Sequence, residues 1–298
     1  MKTIKIGTRE SRLAVVQAEQ VASAVRAALP DAVVELVTMK TTGDKILDRT
    51  LDQVGGKGLF VRELDEALIT GRVDLCVHSY KDLPAGENPA LPVVAVSARE
   101  NPLDVLILPE GATLPNPGKP VGCSSQRRQV QLREMFPGQP VAPVRGNVLT
   151  RLEKLDRGEY SGLVLAAAGI LRLGLWERVN RVFTAEELLP AGCQGILAVQ
   201  GRADEDYSYL NGFHDPAAWT ASRAERAFIE RLDCGCGAPV GVFGEVEGDS
   251  LRLRCMVASE SGIYREELRG SAAECAQLGT ELAEKMIERM GGICGKPE

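Results

Sequence analysis

The chain has 298 residues, of which 44% are hydrophobic and 26% charged. This length is enough for two or three domains, and the composition is that of a folded protein with a sizeable core, which excludes a largely disordered chain. The formal net charge of -6 argues against a dedicated nucleic-acid binder, because such proteins usually carry a surplus of basic residues.

The sequence also bears on the compartment. Its longest nonpolar run, residues 162–171, is too short to span a bilayer, and residues 1–7 lack the apolar segment of a signal peptide. We therefore expect a cytoplasmic protein that binds neither membrane nor nucleic acid. Its eight cysteines are then expected to be reduced thiols. Only His78 and His214 are histidines, which gives little support to a histidine-based metal site or catalytic triad.

The first third of the chain alternates strand-like and helix-like segments. In chain order we predict a strand at 3–6, a helix at 12–29 that ends at Pro30, and a strand at 33–39. A second helix, with Phe60, Leu64, Ala67 and Leu68 on one face, is expected to stop at Gly71. A buried strand at 73–77 follows it. This alternation is typical of parallel βαβ units.

A second block begins after Pro102 and repeats the plan. In it, residues 120–122 lead into a helix that carries Arg127 and Arg128, and a helix at 147–157 and a strand at 162–167 follow. From about residue 217 the pattern changes to a helix at 222–232, a β-hairpin within 241–258 and an amphipathic helix at 272–290. We predict an α/β fold in two blocks, followed by a small α+β domain.

Basic residues concentrate in the second block. Residues 119–157 hold eight Lys or Arg against three Asp or Glu, in a protein that is acidic as a whole. Several of these cations, such as Arg127, Arg128 and Arg145, fall where a strand leads into a helix, and Arg9 occupies the same position in the first block. Helix N-termini attract anions, and arginine binds carboxylates in bidentate fashion. The pattern indicates a cleft for a ligand with several carboxylates or phosphates, unless these residues only cover a solvated helix face.

Two short segments could carry chemistry. Lys81-Asp82 follows a buried strand, where Asp82 could hold a developing cation, although a plain surface turn would look the same. Cys234 and Cys236 lie in a glycine-rich loop after a helix, and they could be inert, bind a metal or serve as an attachment point. For His78 we favour a buried core residue over a catalytic one. The loop at 55–58 lacks the spacing of a nucleotide-binding P-loop, so we expect a mobile hinge or lid.

Taken together, these segments resemble the porphobilinogen deaminase (hydroxymethylbilane synthase) family. The resemblance covers nearly the whole chain, and the order of its motifs makes it specific. The motifs are GTRES at 7–11, VGGKGLF at 54–60, HSYKDLP at 78–84, GCSSQRRQ at 122–129, RGNV at 145–148, AGILRLG at 168–174 and CGAP at 236–239.

The resemblance implies three domains. Two periplasmic-binding-protein-like βα lobes would enclose a cleft, with residues 1–97 and a return segment at 195–215 forming the first lobe and residues 98–194 the second. Residues 216–298 would form the small C-terminal α+β domain that carries the cysteine loop. We expect the protein to be a monomer.

The resemblance also implies a cofactor and a reaction. A dipyrromethane, made from the enzyme's own substrate, would be joined to Cys236 through a thioether. Four porphobilinogen molecules would be deaminated and added head to tail to this primer, and hydrolysis would release hydroxymethylbilane. No metal is implied.

Site residues follow from the matching motif positions. Asp82 would stabilise the cation formed from porphobilinogen and hold pyrrole N–H groups. The residues implied to hold the cofactor are Cys236, Ser79, Lys81, Asp82, Ser125, Arg127, Arg128 and Arg151. The residues implied to bind substrate are Arg9, Ser11, Lys57, Arg145 and Arg172.

Some positions depart from the family pattern. Gln53 stands where lysine is frequent, Cys123 replaces a common threonine, and Cys193 and Cys234 replace common glycines. Cys234 therefore competes with Cys236 as the attachment thiol, and the CGAP register favours Cys236. Two other functions remain open at this point: a non-catalytic two-lobed binding protein for an anionic small molecule, and a thiolate metal protein.

Overall fold

The computed structural model describes residues 2–45, 61–86, 88–233 and 238–292. In these ranges the strands are β1 Thr3–Arg9, β2 Val33–Met39, β3 Leu75–Ser79, β4 Val93–Val96, β5 Asp104–Ile107, β6 Val121–Gly122, β7 Val141–Ala142, β8 Gly162–Ala166, β9 Arg181–Val182, β10 Leu197–Gln200, β11 Val240–Glu247, β12 Ser250–Ser259 and β13 Gly262–Ser271. The α-helices are α1 Arg12–Ala28, α2 Thr42–Lys45, α3 Arg62–Ile69, α4 Gln126–Met135, α5 Val148–Asp156, α6 Ala167–Arg172, α7 Pro216–Leu232 and α8 Cys275–Met290.

The strands form two five-stranded mixed sheets with the same plan. The first has the order β2-β1-β3-β10-β4, with β1 parallel to β2 and β3 and with β10 antiparallel to both of its neighbours. The second has the order β7-β6-β8-β5-β9, with β6 parallel to β7 and β8 and with β5 antiparallel to both of its neighbours. In each sheet four strands therefore run in the same direction and one inserted strand runs antiparallel to them, and the prediction of two α/β blocks is confirmed.

The last part of the chain forms a separate antiparallel sheet, β11-β12-β13. Glu247 and Ser250 face each other at the predicted hairpin turn, where Gly248 has a φ of 59°. Glycine adopts this left-handed conformation without steric penalty. Helices α7 and α8 bury Phe228 and Leu282 against this sheet. The predicted small α+β unit is thus confirmed, with β13 as a strand that the sequence analysis did not identify.

The helix boundaries show where sequence signals were overlooked. Helix α7 begins at Pro216, ahead of the predicted residue 222, because Asp215 caps it by accepting a hydrogen bond from the Ala218 amide at 2.7 Å. Asp followed by Pro is a strong helix-start signal. Residues 272–274 form a 3₁₀ turn, so α8 starts at Cys275, three residues later than predicted.

Each large sheet buries its own apolar cluster. Val21 and Val25 of α1 pack on Ile4 and Ile6 of β1, all at most 1% exposed. In the second sheet, Leu152 and Leu155 of α5 pack in the same way on Leu163. The period of about 3.6 that predicted these helices therefore corresponds to the buried faces. Among the described residues, no helix is both long and apolar enough to cross a membrane.

Candidate active site

A cleft of about 720 Å³ lies at the carboxyl ends of β1, β3, β6 and β8. Strand ends at this edge are where open α/β sheets bind ligands, and the volume is within the range of about 300–1,000 Å³ that is usual for small-molecule sites. All predicted site residues within the described ranges line it: Arg9, Ser11, Ser79, Lys81, Asp82, Ser125, Arg127, Arg128, Arg145, Arg151 and Arg172. Lys57, Gln53, Cys234 and Cys236 lie outside the described residues.

The first sheet supplies the side of the cleft that carries Asp82. Ser11 caps α1 by accepting a hydrogen bond from the Ala14 amide at 3.3 Å. Ser79 ends β3 and lies 3.0 Å from the side-chain amide of Gln17, a buried residue of α1. Gln17 belongs to none of the sequence motifs, although it falls on the inward face of a predicted helix.

Asp82 lies in a 3₁₀ turn, Tyr80–Asp82, directly after β3. Tyr80 is fully buried, and its amide donates to the Ile196 carbonyl at 3.0 Å. The guanidinium of Arg226, from α7, covers the Tyr80 ring at 4.8 Å and donates to the carbonyls of Pro84 and Ala85. Packing on both sides fixes the turn, so the exposed Asp82 carboxylate is presented to the cleft by a rigid support.

The second sheet supplies most of the cations. Arg127 and Arg128 are only 3% and 7% exposed, so the alternative of a solvated helix face is wrong for them. Both pair with Asp104 at the start of β5, at 2.8 and 2.7 Å. Burial by itself would raise the pKa of Asp104, but the two guanidinium groups outweigh it and hold that pKa well below its usual value. Asp104 belongs to none of the motifs, and no sequence signal singled it out.

Two further arginines, Arg151 and Arg172, stay cationic at the cleft. Arg151 donates from Nε to the Gly146 carbonyl at 2.8 Å, and Arg172 donates to the Gly195 carbonyl at 2.6 Å. Loss of hydration on burial lowers the pKa of each to about 10, so both remain charged near neutral pH. Arg145 lines the cleft beside them. A site with this many guanidinium groups suits a ligand that carries several carboxylates.

His78 is 7% exposed, as favoured by the sequence analysis. Loss of hydration, followed by the nearby charge of Arg9, lowers its pKa to about 4, while a hydrogen bond with Gln200 opposes the shift. The imidazole is therefore neutral at physiological pH. This histidine belongs to the core of the first sheet.

The described cysteines are free thiols: Cys76, Cys123, Cys193, Cys255 and Cys275. Cys193, at a position where the sequence analysis noted a replaced glycine, is buried and adopts a φ of 60°. Its neighbour Gly195 needs to be glycine, because a Cβ there would lie 2.2 Å from the Glu100 carbonyl oxygen. This tight segment carries the chain from the second sheet back to the first.

The pairing of Asp104 leads to a stability prediction. We expect Asp104→Asn to lower the free energy of unfolding at pH 7 by about 3 kcal/mol, because it leaves two buried guanidinium groups without a counter-charge. Since the folded-state pKa is depressed, the contribution of Asp104 is present above the usual carboxyl pKa of about 4 and is lost as the pH falls below it. Urea unfolding at pH 7 and at acidic pH measures both effects.

A matched control is Asp156→Asn, which breaks an exposed pair with Arg178. Exposed pairs contribute about 0–1 kcal/mol, so this variant should unfold almost like the parent protein. Equal losses in the two variants would contradict the role given to Asp104.

Two family models and an individual protein that match this chain carry the same description. A family model described as "Porphobilinogen deaminase, dipyromethane cofactor binding domain" matches residues 4–209, and one described as "Porphobilinogen deaminase, C-terminal domain" matches residues 219–288. The porphobilinogen deaminase of Acetivibrio thermocellus is 51% identical over 286 residues, covering 96% of this chain and 98% of that protein.

A second relative and one solved structure are also similar to this chain. The porphobilinogen deaminase of Alkaliphilus oremlandii is 51% identical over 284 residues, covering 95% of this chain and 96% of that protein. Among solved structures, the periplasmic aliphatic sulphonate binding protein SsuA from Escherichia coli is similar with a TM-score of 0.41 and 13% identity, covering 78% of this chain and 75% of that one.

Proposed function

Because the chain belongs to the porphobilinogen deaminase family, we propose that its cleft joins porphobilinogen units head to tail, with Asp82 as the catalytic carboxylate and Cys236 as the cofactor-bearing thiol. The observation that carries these roles is the cleft itself, in which the Asp82 carboxylate on its rigid turn shares the lining with a set of buried or half-buried arginines. Porphobilinogen is a single pyrrole ring that bears an acetate and a propionate. Each unit added to the growing chain therefore adds two carboxylates, which such arginines neutralise.

The residues of the cleft fit the dipyrromethane cofactor that the family carries. Its carboxylates match the guanidinium groups of Arg128 and Arg151 and the ammonium of Lys81, and Ser79 and Ser125 add hydroxyl groups at the strand ends. Ala238, two residues beyond Cys236, also lines the cleft, which supports attachment at the adjoining loop. When bound, this group supplies the nucleophilic carbon to which porphobilinogen is joined.

Asp82 acts on the substrate as ammonia leaves. The amino group leaves in its protonated form: the bond between the methylene carbon and the ammonium nitrogen breaks with its electron pair on that nitrogen, which departs as ammonia. The pyrrole ring nitrogen delocalises the positive charge left on the methylene carbon. A fixed carboxylate next to that N–H stabilises the cation without reorganising solvent. Substrate and growing chain are held for this step by Arg9, Ser11, Arg145 and Arg172, together with Lys57 from outside the described residues.

Arg127 contributes mainly through its support of neighbours. Its NH1 donates both to Asp104 and to the Leu189 carbonyl, at 2.8 and 2.6 Å, so these hydrogen bonds run into the protein. We propose that it neutralises cofactor carboxylates through its charge.

The domain division, the assembly state and the compartment complete the proposal. Residues 1–97 with 195–215, residues 98–194 and residues 216–298 form three domains; insertion of β10 into the first sheet supports the return segment. The protein acts as a cytoplasmic monomer, and sedimentation of the purified protein tests the assembly state.

Incubation with porphobilinogen tests the function. We expect ammonia release and a linear tetrapyrrole that cyclises to uroporphyrin-type pigment after acidification. A binding protein would return porphobilinogen unchanged, and that result would refute the proposed activity.

A further inference from the structure

A chain of hydrogen bonds connects the second sheet to the turn that carries Asp82. The side-chain amide nitrogen of Gln194 donates to Asp104 on β5 at 2.8 Å and to the Pro102 carbonyl at 2.6 Å. The side-chain oxygen of Gln194 accepts from Nζ of Lys81 at 3.2 Å. Lys81 adjoins Asp82, so the network ends beside the proposed catalytic carboxylate.

The partners fix the orientation of the Gln194 amide. An ionised carboxylate only accepts hydrogen bonds and an ammonium only donates them, so the NH₂ group must face Asp104 and the oxygen must face Lys81. Gln194 is fully buried, so water does not readily replace either partner. Reversing the amide would leave both charged groups facing the wrong atom.

Gln194 lies where the chain passes from the second sheet to the first. It is in the segment between β9 of the second sheet and β10 of the first. Asp104 lies in the second sheet, Lys81 lies in the turn that follows β3 of the first sheet, and Arg128 of α4 also donates to the Gln194 oxygen at 3.5 Å. We propose that Gln194 is a positioning residue that holds the ammonium of Lys81 at the cleft wall by anchoring it to Asp104 across the two sheets. This inference rests on the proposed binding role of Lys81, but its test reads the lysine directly.

The charge of Lys81 depends on its surroundings. Although Lys81 is accessible from the cleft, the surrounding protein removes hydration and lowers its pKa to about 8. Arg128 and Arg127 on α4 lower the pKa further, whereas Asp82 on its own turn and Asp104 on β5 raise it. Lys81 is therefore charged below about pH 8 and loses its charge above it, and an acceptor such as the Gln194 oxygen favours the charged form.

The test is to measure the titration of Lys81 in a Gln194→Met variant, which keeps the side-chain length and removes both hydrogen-bonding groups. Holoprotein is acetylated competitively with acetic anhydride across a pH series, and the Lys81 peptide is quantified by mass spectrometry. We expect the labelling midpoint of Lys81 to fall by about one pH unit relative to the parent, since a hydrogen bond to a charged group has roughly that effect. The alkaline limb of turnover should move in the same direction.

Gln200→Met is the matched control. Gln200 is a buried glutamine of β10 that donates to the Leu91 carbonyl at 3.0 Å, away from Lys81. Its loss should reduce stability without moving the Lys81 midpoint. A Lys81 midpoint that shifts equally in both variants would overturn the inference, because the effect would then be a general loss of packing.

Gln194→Asn gives a second test should the methionine variant fail to fold. Its shorter side chain keeps the amide but cannot span from Asp104 to Nζ of Lys81, so the labelling midpoint of Lys81 should again fall, and an unchanged midpoint would contradict the inference. A midpoint that shifts as expected, in a protein that releases no ammonia from porphobilinogen, would uphold the positioning role and refute the proposed function.

Discussion

Asp82→Asn should leave a folded protein that has lost most of its turnover. Asparagine has nearly the same shape as aspartate but lacks the charge that stabilises the cation formed when ammonia leaves. Removing one preorganised electrostatic group from an active site lowers turnover by about 10²- to 10³-fold, and we expect a loss of that size here. Ammonia release at saturating porphobilinogen measures it.

Folding of the Asp82→Asn variant should be nearly unchanged. Asp82 is exposed to the cleft, and the turn is fixed by Tyr80 and Arg226, so the substitution should alter the free energy of unfolding by no more than about 0.5 kcal/mol. Asp31→Asn, at an exposed position before β2, is the matched control and should retain full turnover. Near-parental turnover in Asp82→Asn would refute the role given to this carboxylate.

Cys236→Ser should abolish covalent cofactor loading and, with it, turnover. A serine hydroxyl is a far weaker nucleophile than a thiolate and forms no thioether, so no primer is retained. We expect ammonia release at least about 10³-fold below that of the parent, since the primer supplies the carbon to which substrate is joined. Peptide mapping of the parent should place the pyrrolic adduct on the peptide that contains Cys236.

Cys234→Ser is the control for this prediction, because it removes the second thiol of the same loop. This variant should keep both the adduct and its turnover. The opposite pattern, with the adduct lost from Cys234→Ser and kept in Cys236→Ser, would reassign the attachment site.

Local signals predicted much of the fold. Apolar residues at helical spacing predicted α1, and a β-branched run predicted β2. Neither signal reports which strands pair across the chain. The strand predicted at 73–77 is observed at Leu75–Ser79. Its C-terminal end lies two residues later than predicted because β10 pairs with it as far as Ser79. The sequence gives no local signal for an antiparallel strand that arrives from residue 197.

In the candidate site, too, local motifs were predicted and contacts between residues distant in sequence were not. Residues in contiguous motifs, such as Arg127 and Asp82, were predicted and line the cleft. Asp104 and the amide contacts of Gln194 were missed, because their roles depend on partners 24 and 113 residues away in sequence. An unpaired buried arginine is costly, so two adjacent arginines at a strand-to-helix junction could have prompted a search for a buried carboxylate.

The central claim is that the chain builds its product on a pyrrolic primer attached to one of its own cysteines. Intact-mass spectrometry of freshly purified, active protein tests it most directly. We predict a mass above that of the 32.0 kDa polypeptide by two linked pyrrole units, increasing in steps of one unit when porphobilinogen is added. Fully active protein with the mass of the unmodified chain would contradict the account.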